Sequence, residues 1–134
     1  MTARIDLVTI IVEDIQMMKQ FYQNALGFVM KTDVGEYVEF ATPGVRFSLC
    51  ERHVLADATH HASYSQTKRG QSFELAFPFA SPAEVDAAYT HVVAVGGTPV
   101  QGPTNMPWGQ RTAFFADPEG NIHELFAEVE GNAE

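Results

Sequence analysis

Apolar and polar positions alternate along this chain in a way that separates strands from helices before any other property is considered. Ile5–Val12 is β-branched and almost continuously apolar, the pattern of a strand buried on both faces. Asp14 then stands as an N-cap. Ile15, Met18, Phe21, Tyr22, Ala25 and Leu26 follow at spacings of three and four, and Gly27 closes the run at the position a left-handed cap requires. Strands are predicted at Phe28–Thr32, Tyr37–Phe40 and Val45–Arg52, with Asp33–Glu36 and Thr42–Gly44 as the turns between them. From His53 to Gln71 the pattern lapses into a polar connection with one helical turn at its start. Ser72–Phe79 reads as a strand in which Phe73, Leu75, Phe77 and Phe79 alternate with Ser72, Glu74 and Ala76. Ser81-Pro82-Ala83-Glu84 is a capping box with proline at the first helical position, and the helix it starts runs to Gly96-Gly97. A short strand at Pro99–Val100, a loop at Gly102-Pro103, the segment Met106–Gly109 and strands at Arg111–Ala116 and Asn121–Ala127 complete the chain.

The order of elements occurs twice. A shift of 67 carries Val8 to Leu75, Ile10 to Phe77, Asp14 to Ser81 and Tyr22 to Tyr89. A shift of 75 carries Phe40-Ala41-Thr42-Pro43 onto Phe115-Ala116-Asp117-Pro118, and one further residue sets Leu49 against Leu125. Each half is therefore strand, helix and three strands. The expected organisation is one domain with a first module at 4–55, a linker at 56–71, a second module at 72–128 and an acidic tail at 129–134.

A helix covers one face of its sheet, so each module leaves the other face uncovered. Strand parity puts Leu7, Ser48, Glu74 and Glu124 at equivalent places on those uncovered faces, beside Thr9, Ala76, Ile122 and Phe126. His123 shares the parity of Leu125 and falls on the helix side. Two carboxylates on an otherwise apolar face are costly without partners. Two readings follow: the glutamates are solvated or paired with Arg46, Arg52 or Arg111, or they line a ligand cavity and work in it.

The 134 residues carry 8 Lys and Arg against 17 Asp and Glu, a net charge of −9. That balance argues against nucleic acid as a partner, and the longest basic cluster is only Lys68–Arg69. No apolar run of membrane-spanning length occurs, and with a single cysteine, Cys50, a cytoplasmic protein is expected.

Val12-Glu13-Asp14, Phe21–Phe28 and Phe115–Leu125, which contains Asp117-Pro118-Glu119-Gly120-Asn121, together resemble the vicinal oxygen chelate superfamily of glyoxalases, bleomycin-resistance proteins and extradiol dioxygenases. The resemblance implies an α+β fold of two βαβββ modules whose curved mixed sheets enclose a groove, often in a homodimer. In its metal enzymes, ligands sit at positions that correspond here to Leu7, Ser48 or Cys50, Glu74 and Glu124. Leu7 has no donor atom, and Glu74 stands where histidine is common. The expectation is therefore a protein without a tightly held metal or other cofactor, in which a divalent ion, if present, rests on Glu74 and Glu124. It would bind an apolar or cationic small molecule through Leu7, Thr9, Ser48, Cys50, Glu74, Trp108, Glu124 and Phe126, with Tyr64 as a lid. The alternative is a metal-dependent lyase, isomerase or dioxygenase in which Glu124 and Glu74 are catalytic. His53, His60, His61 and His91 are read as exposed, and Cys50 as an unlikely nucleophile.

Overall fold

The computed structural model describes residues 1–66 and 70–129. The Lys68–Arg69 pair and most of the acidic tail lie outside them. The chain divides into two compact units, 1–69 and 70–134.

The first unit contains β1 (Leu7–Val12), α1 (Ile15–Leu26), β2 (Val29–Asp33), β3 (Tyr37–Ala41), β4 (Arg46–Glu51) and α2 (Arg52–Thr59), followed by a 3-10 turn at Ala62–Ser65. Its sheet has the order β1-β4-β3-β2, with β1 parallel to β4 and the other pairs antiparallel. The ends of α1 behave as their residues require. Asp14 Oδ1 accepts from the Met17 amide at 3.1 Å, and Gly27 takes the left-handed conformation at φ 69°. Met18 and Tyr22 from α1 are fully buried with Val12, Val38 and Leu49. Tyr22 meets Phe47 edge-on, centroids 5.2 Å apart, and Phe28 and Phe40 extend the cluster.

The second unit contains β5 (Ala76–Pro78), α3 (Pro82–Ala94), β6 (Thr98–Asn105), β7 (Gln110–Ala116) and β8 (Ile122–Glu128). The sheet order, β5-β8-β7-β6, repeats that of the first unit, again with its first strand parallel to its last. Ser81 Oγ accepts from the Glu84 amide at 3.3 Å to start α3. Val85 and Val92 press from α3 onto Ala113, Phe115 and Leu125, all fully buried.

Three elements differ from the sequence expectation. The Ser72–Phe79 strand shrinks to Ala76–Pro78, and Phe73, expected beneath a helix, is 50% exposed. Side chains take the ladder's place there. His123 Nδ1 accepts from the Leu75 amide at 3.1 Å, while Gln71 donates to the Gly120 carbonyl and accepts from the Ile122 amide. The polar stretch after Arg52 forms the two-turn α2 rather than a single turn. Finally, β6 runs through Gly102-Pro103, with irregular pairing between Gln101 and Thr104 that accommodates them on an edge strand.

Candidate functional site

The turn before β8 fixes the phase of that strand. Asp117 Oδ1 accepts from the amides of Glu119 and Asn121, each at 3.0 Å, and both Asp117 oxygens accept from Asn121 Nδ2. Gly120, at φ 88°, supplies the left-handed residue that this loop needs. With the phase set, His123 and Leu125 are buried on the α3 side and Ile122, Glu124 and Phe126 lie half-buried on the opposite face. His123 is wholly enclosed, edge-on to Phe77 and Phe115, with its ring nitrogen committed to Leu75. Sequence parity anticipated that placement.

Glu124 pairs in register with Ala76 on one side and Phe114 on the other. Its amide donates to the Leu75 carbonyl at 2.9 Å, which brings Glu74, the residue before it, alongside. The two carboxyl groups share a hydrogen bond. Partial burial, that bond and the charge of Glu74 push the Glu124 carboxyl up to about 7. Glu74 itself is exposed. Neither glutamate is neutralised by the three arginines considered from the sequence. Arg46 binds Glu39 and Asp6, Arg52 binds Glu13, and Arg111 binds Asp86 and Asn105. Each of these arginines is thus given to other partners among the described residues, and Glu74 faces solvent, as the solvated reading allows. Further along the same face lies Thr112, in register with Phe126; its buried hydroxyl has no hydrogen-bond partner among the described residues.

On the first unit's uncovered face, Thr9 and Ser48 are register partners whose hydroxyls meet at 2.7 Å. Leu7, 36% exposed, lies two residues along β1, and buried Cys50 two residues along β4. The Cys50 thiol turns to the Glu51 carbonyl, and burial followed by the charges of Glu51 and Glu36 raises its pKa, which leaves it a poor nucleophile. Nearby, buried Glu39 receives both ends of the Arg46 guanidinium, at 2.7 and 2.8 Å, and the Tyr37 hydroxyl at 3.0 Å. The Arg46 bond, foremost, holds Glu39 down at about 2.

Trp108 sits in the β6–β7 turn, 58% exposed, and its ring nitrogen donates to Gln110. Tyr64, from the 3-10 turn, lines a cavity of about 290 Å³ with Glu51, Arg52 and His53. His53 does not join His60 or His61. It opens α2, with Nε2 at 2.9 Å from Glu51 and 3.7 Å from Glu36. His61 instead caps the 3-10 turn, accepting from the Ser63 amide.

The family model of the glyoxalase/bleomycin resistance protein/dioxygenase superfamily matches residues 4–125. The chain belongs to that superfamily. A crystal structure titled a glyoxalase/bleomycin resistance protein/dioxygenase from Nocardioides is 26% identical, with a TM-score of 0.84, covering 98% of this chain and 87% of that one. A family enzyme from Burkholderia phytofirmans PsJN shares the fold at a TM-score of 0.87 and 24% identity, with 95% of this chain and all of that one covered. A superfamily member from Sphaerobacter thermophilus is 27% identical, with a TM-score of 0.71 and coverage of 95% and 98%. A search of curated proteins finds no significant match.

At the positions that the superfamily resemblance gives to metal ligands, the two units differ. Leu7 offers no donor, and the Ser48 hydroxyl is engaged by Thr9. Of the remaining pair, Glu124 holds a proton to about neutrality. Taken by itself, neither unit supplies at these positions the three protein ligands of a catalytic zinc site. Two neighbours were not anticipated from the sequence. Phe114 was within reach of the same parity argument applied to β7, whereas the Glu36–Glu51–His53 grouping depends on a turn meeting a helix start and leaves no local signature.

Proposed function

We propose that this superfamily member binds a small organic cation with an apolar body on the uncovered face of its second sheet, rather than running metal-dependent chemistry there. The observation that supports this reading is the Glu74–Glu124 pair, in which Glu124 holds its proton to about 7 hydrogen-bonded to Glu74, beside Phe114, Ala76 and Phe126 and with no arginine or lysine partner among the described residues. A ligand cation would replace that proton and make an ion pair on a partly dry surface. Ring faces at Phe114 and Phe126 favour an aromatic or quaternary ammonium group. Trp108 of the same unit belongs to the proposal as a candidate ligand contact. A homodimer remains part of it, supported by the superfamily resemblance, and so does a cytoplasmic location, supported by the lone cysteine.

A second reading has one observation in its favour. A carboxyl group titrating near 7 is matched to proton transfer, so Glu124 would also serve as a base toward a proton α to a carbonyl, with Glu74 tuning it.

A thermal-shift screen of aromatic amines and quaternary ammonium compounds, each beside a neutral isostere, separates these readings. Binding raises apparent stability by mass action. The cations are expected to raise the melting temperature and the isosteres to leave it unchanged, with Glu74→Gln and Glu124→Gln abolishing the response. Equal responses to cation and isostere would remove the carboxylates from the account. Turnover of an α-hydroxycarbonyl compound, lost in Glu124→Gln, would favour proton transfer.

A further inference from the structure

We propose that Glu36, Glu51 and His53 form a binding site for a borderline divalent cation of the zinc class, separate from the Glu74–Glu124 face. One donor atom from each residue lies within 4.8 Å of the other two. His53 Nε2 is 2.9 Å from Glu51 Oε2 and 3.7 Å from Glu36 Oε2. Ligand atoms around a tetrahedral zinc at about 2.0–2.1 Å stand roughly 3.4 Å apart, so the observed spacings bracket what the ion requires.

The backbone holds the group together. Glu51 ends β4, and its amide donates to the Glu36 carbonyl at 2.9 Å, which ties the turn before β3 to the strand end. His53 follows two residues later in the first turn of α2. One helical turn on, Asp57 places a carboxylate oxygen 3.9 Å from His53 Nδ1. That distance is too long for a hydrogen bond, but it puts a carboxylate on the ring nitrogen away from Nε2, the side from which carboxylates orient metal-bound imidazoles. Three carboxylates thus surround one imidazole, and the adjoining cation, Arg52, is turned to Glu13. Among the described residues, Glu36 and Glu51 ion-pair only with His53, and a divalent ion would take the place of the proton that makes His53 a cation.

Space for the remaining coordination positions is present. Glu51 and His53 line the cavity of about 290 Å³ that also takes in Val12, Ala56 and Tyr64. Three protein ligands and an open side describe an ion that keeps water or an oxygen ligand and exchanges it. Two carboxylates and an imidazole, without a thiolate, favour Zn²⁺ over Cu⁺, and the imidazole disfavours Mg²⁺ and Ca²⁺.

The test is calorimetric titration of the whole chain with Zn²⁺, alongside histidine NMR of the unaltered protein. One site is expected, weakened at least tenfold by His53→Ala and by Glu36→Gln, and unchanged by Glu124→Gln or by the His60→Ala, His61→Ala double variant. In the unaltered protein the His53 ring resonances should move first. No binding below 1 mM Zn²⁺, unchanged affinity in His53→Ala, or first movement at another histidine would each overturn the proposal.

Discussion

A carboxylic acid that holds its proton to about 7 does so because its surroundings resist the charged form, and at Glu124 those surroundings are partial burial and a second carboxyl group. The consequence for stability has a definite sign. Between the ordinary carboxylate range and 7 the folded chain holds a proton that the unfolded chain has released, so stability falls as pH rises through that window and levels off above it. Glu124→Gln removes the penalty. At pH 8 it should be more stable than the parent by about 1 kcal/mol, solvent screening having reduced the full effect, and thermal unfolding at pH 5 and 8 should show the gain only at the higher pH. Thr112 gives a second test on the same face. Its buried hydroxyl has no described partner, so Thr112→Val should stabilise by about 1 kcal/mol in denaturant unfolding. Glu39 behaves oppositely to Glu124. Held near 2 chiefly by Arg46, it contributes stability that is present above the ordinary carboxylate range and lost as pH falls toward 2, and Arg46→Met should erase that dependence.

At the scale of elements, the residues with strong local rules behave as written. Asp14 and Ser81 start their helices, and Gly27 ends the first. The end of α3 tests packing more severely. A Cβ at Gly97 would stand 2.6 Å from Val92 Cγ1 and 3.0 Å from the Val92 carbonyl, while the Gly97 amide donates to that same carbonyl. Val92 is fully buried and has nowhere to go. Gly97→Ala should therefore cost about 1–3 kcal/mol, read from the shift in the urea midpoint. What the sequence hid at this scale was decided by distant partners. The alternation of Ser72–Phe79 reads as a full strand, yet Gln71 and His123 satisfy the backbone groups that a longer β5 would have paired. Likewise α2 lacks an apolar face strong enough to announce itself; it has no fully buried residue. The parity of β8 was legible because the Asp117–Asn121 loop and Leu125 set it, and Glu124 followed from it. A carboxyl raised toward neutrality is also what two carboxylates on an apolar face lead one to expect, whereas the docking of Leu75 against β8 that brings them together left no local signal.

On the whole molecule, the repeat gives two sheets with one strand order, and divergence between them carries the functional difference. Where the first sheet has Ser48 bonded to Thr9, the second has Glu124 bonded to Glu74. On the proposed reading, the carboxyl pair of the second sheet is a site for positive charge. The most direct measurement is the affinity of a quaternary ammonium probe, whose own charge does not titrate, from pH 5 to 9. Affinity should rise with pH as Glu124 gives up its proton near 7, then level off, and the rise should vanish in Glu124→Gln. A flat profile in the unaltered protein, or one that Glu124→Gln leaves in place, would contradict the account.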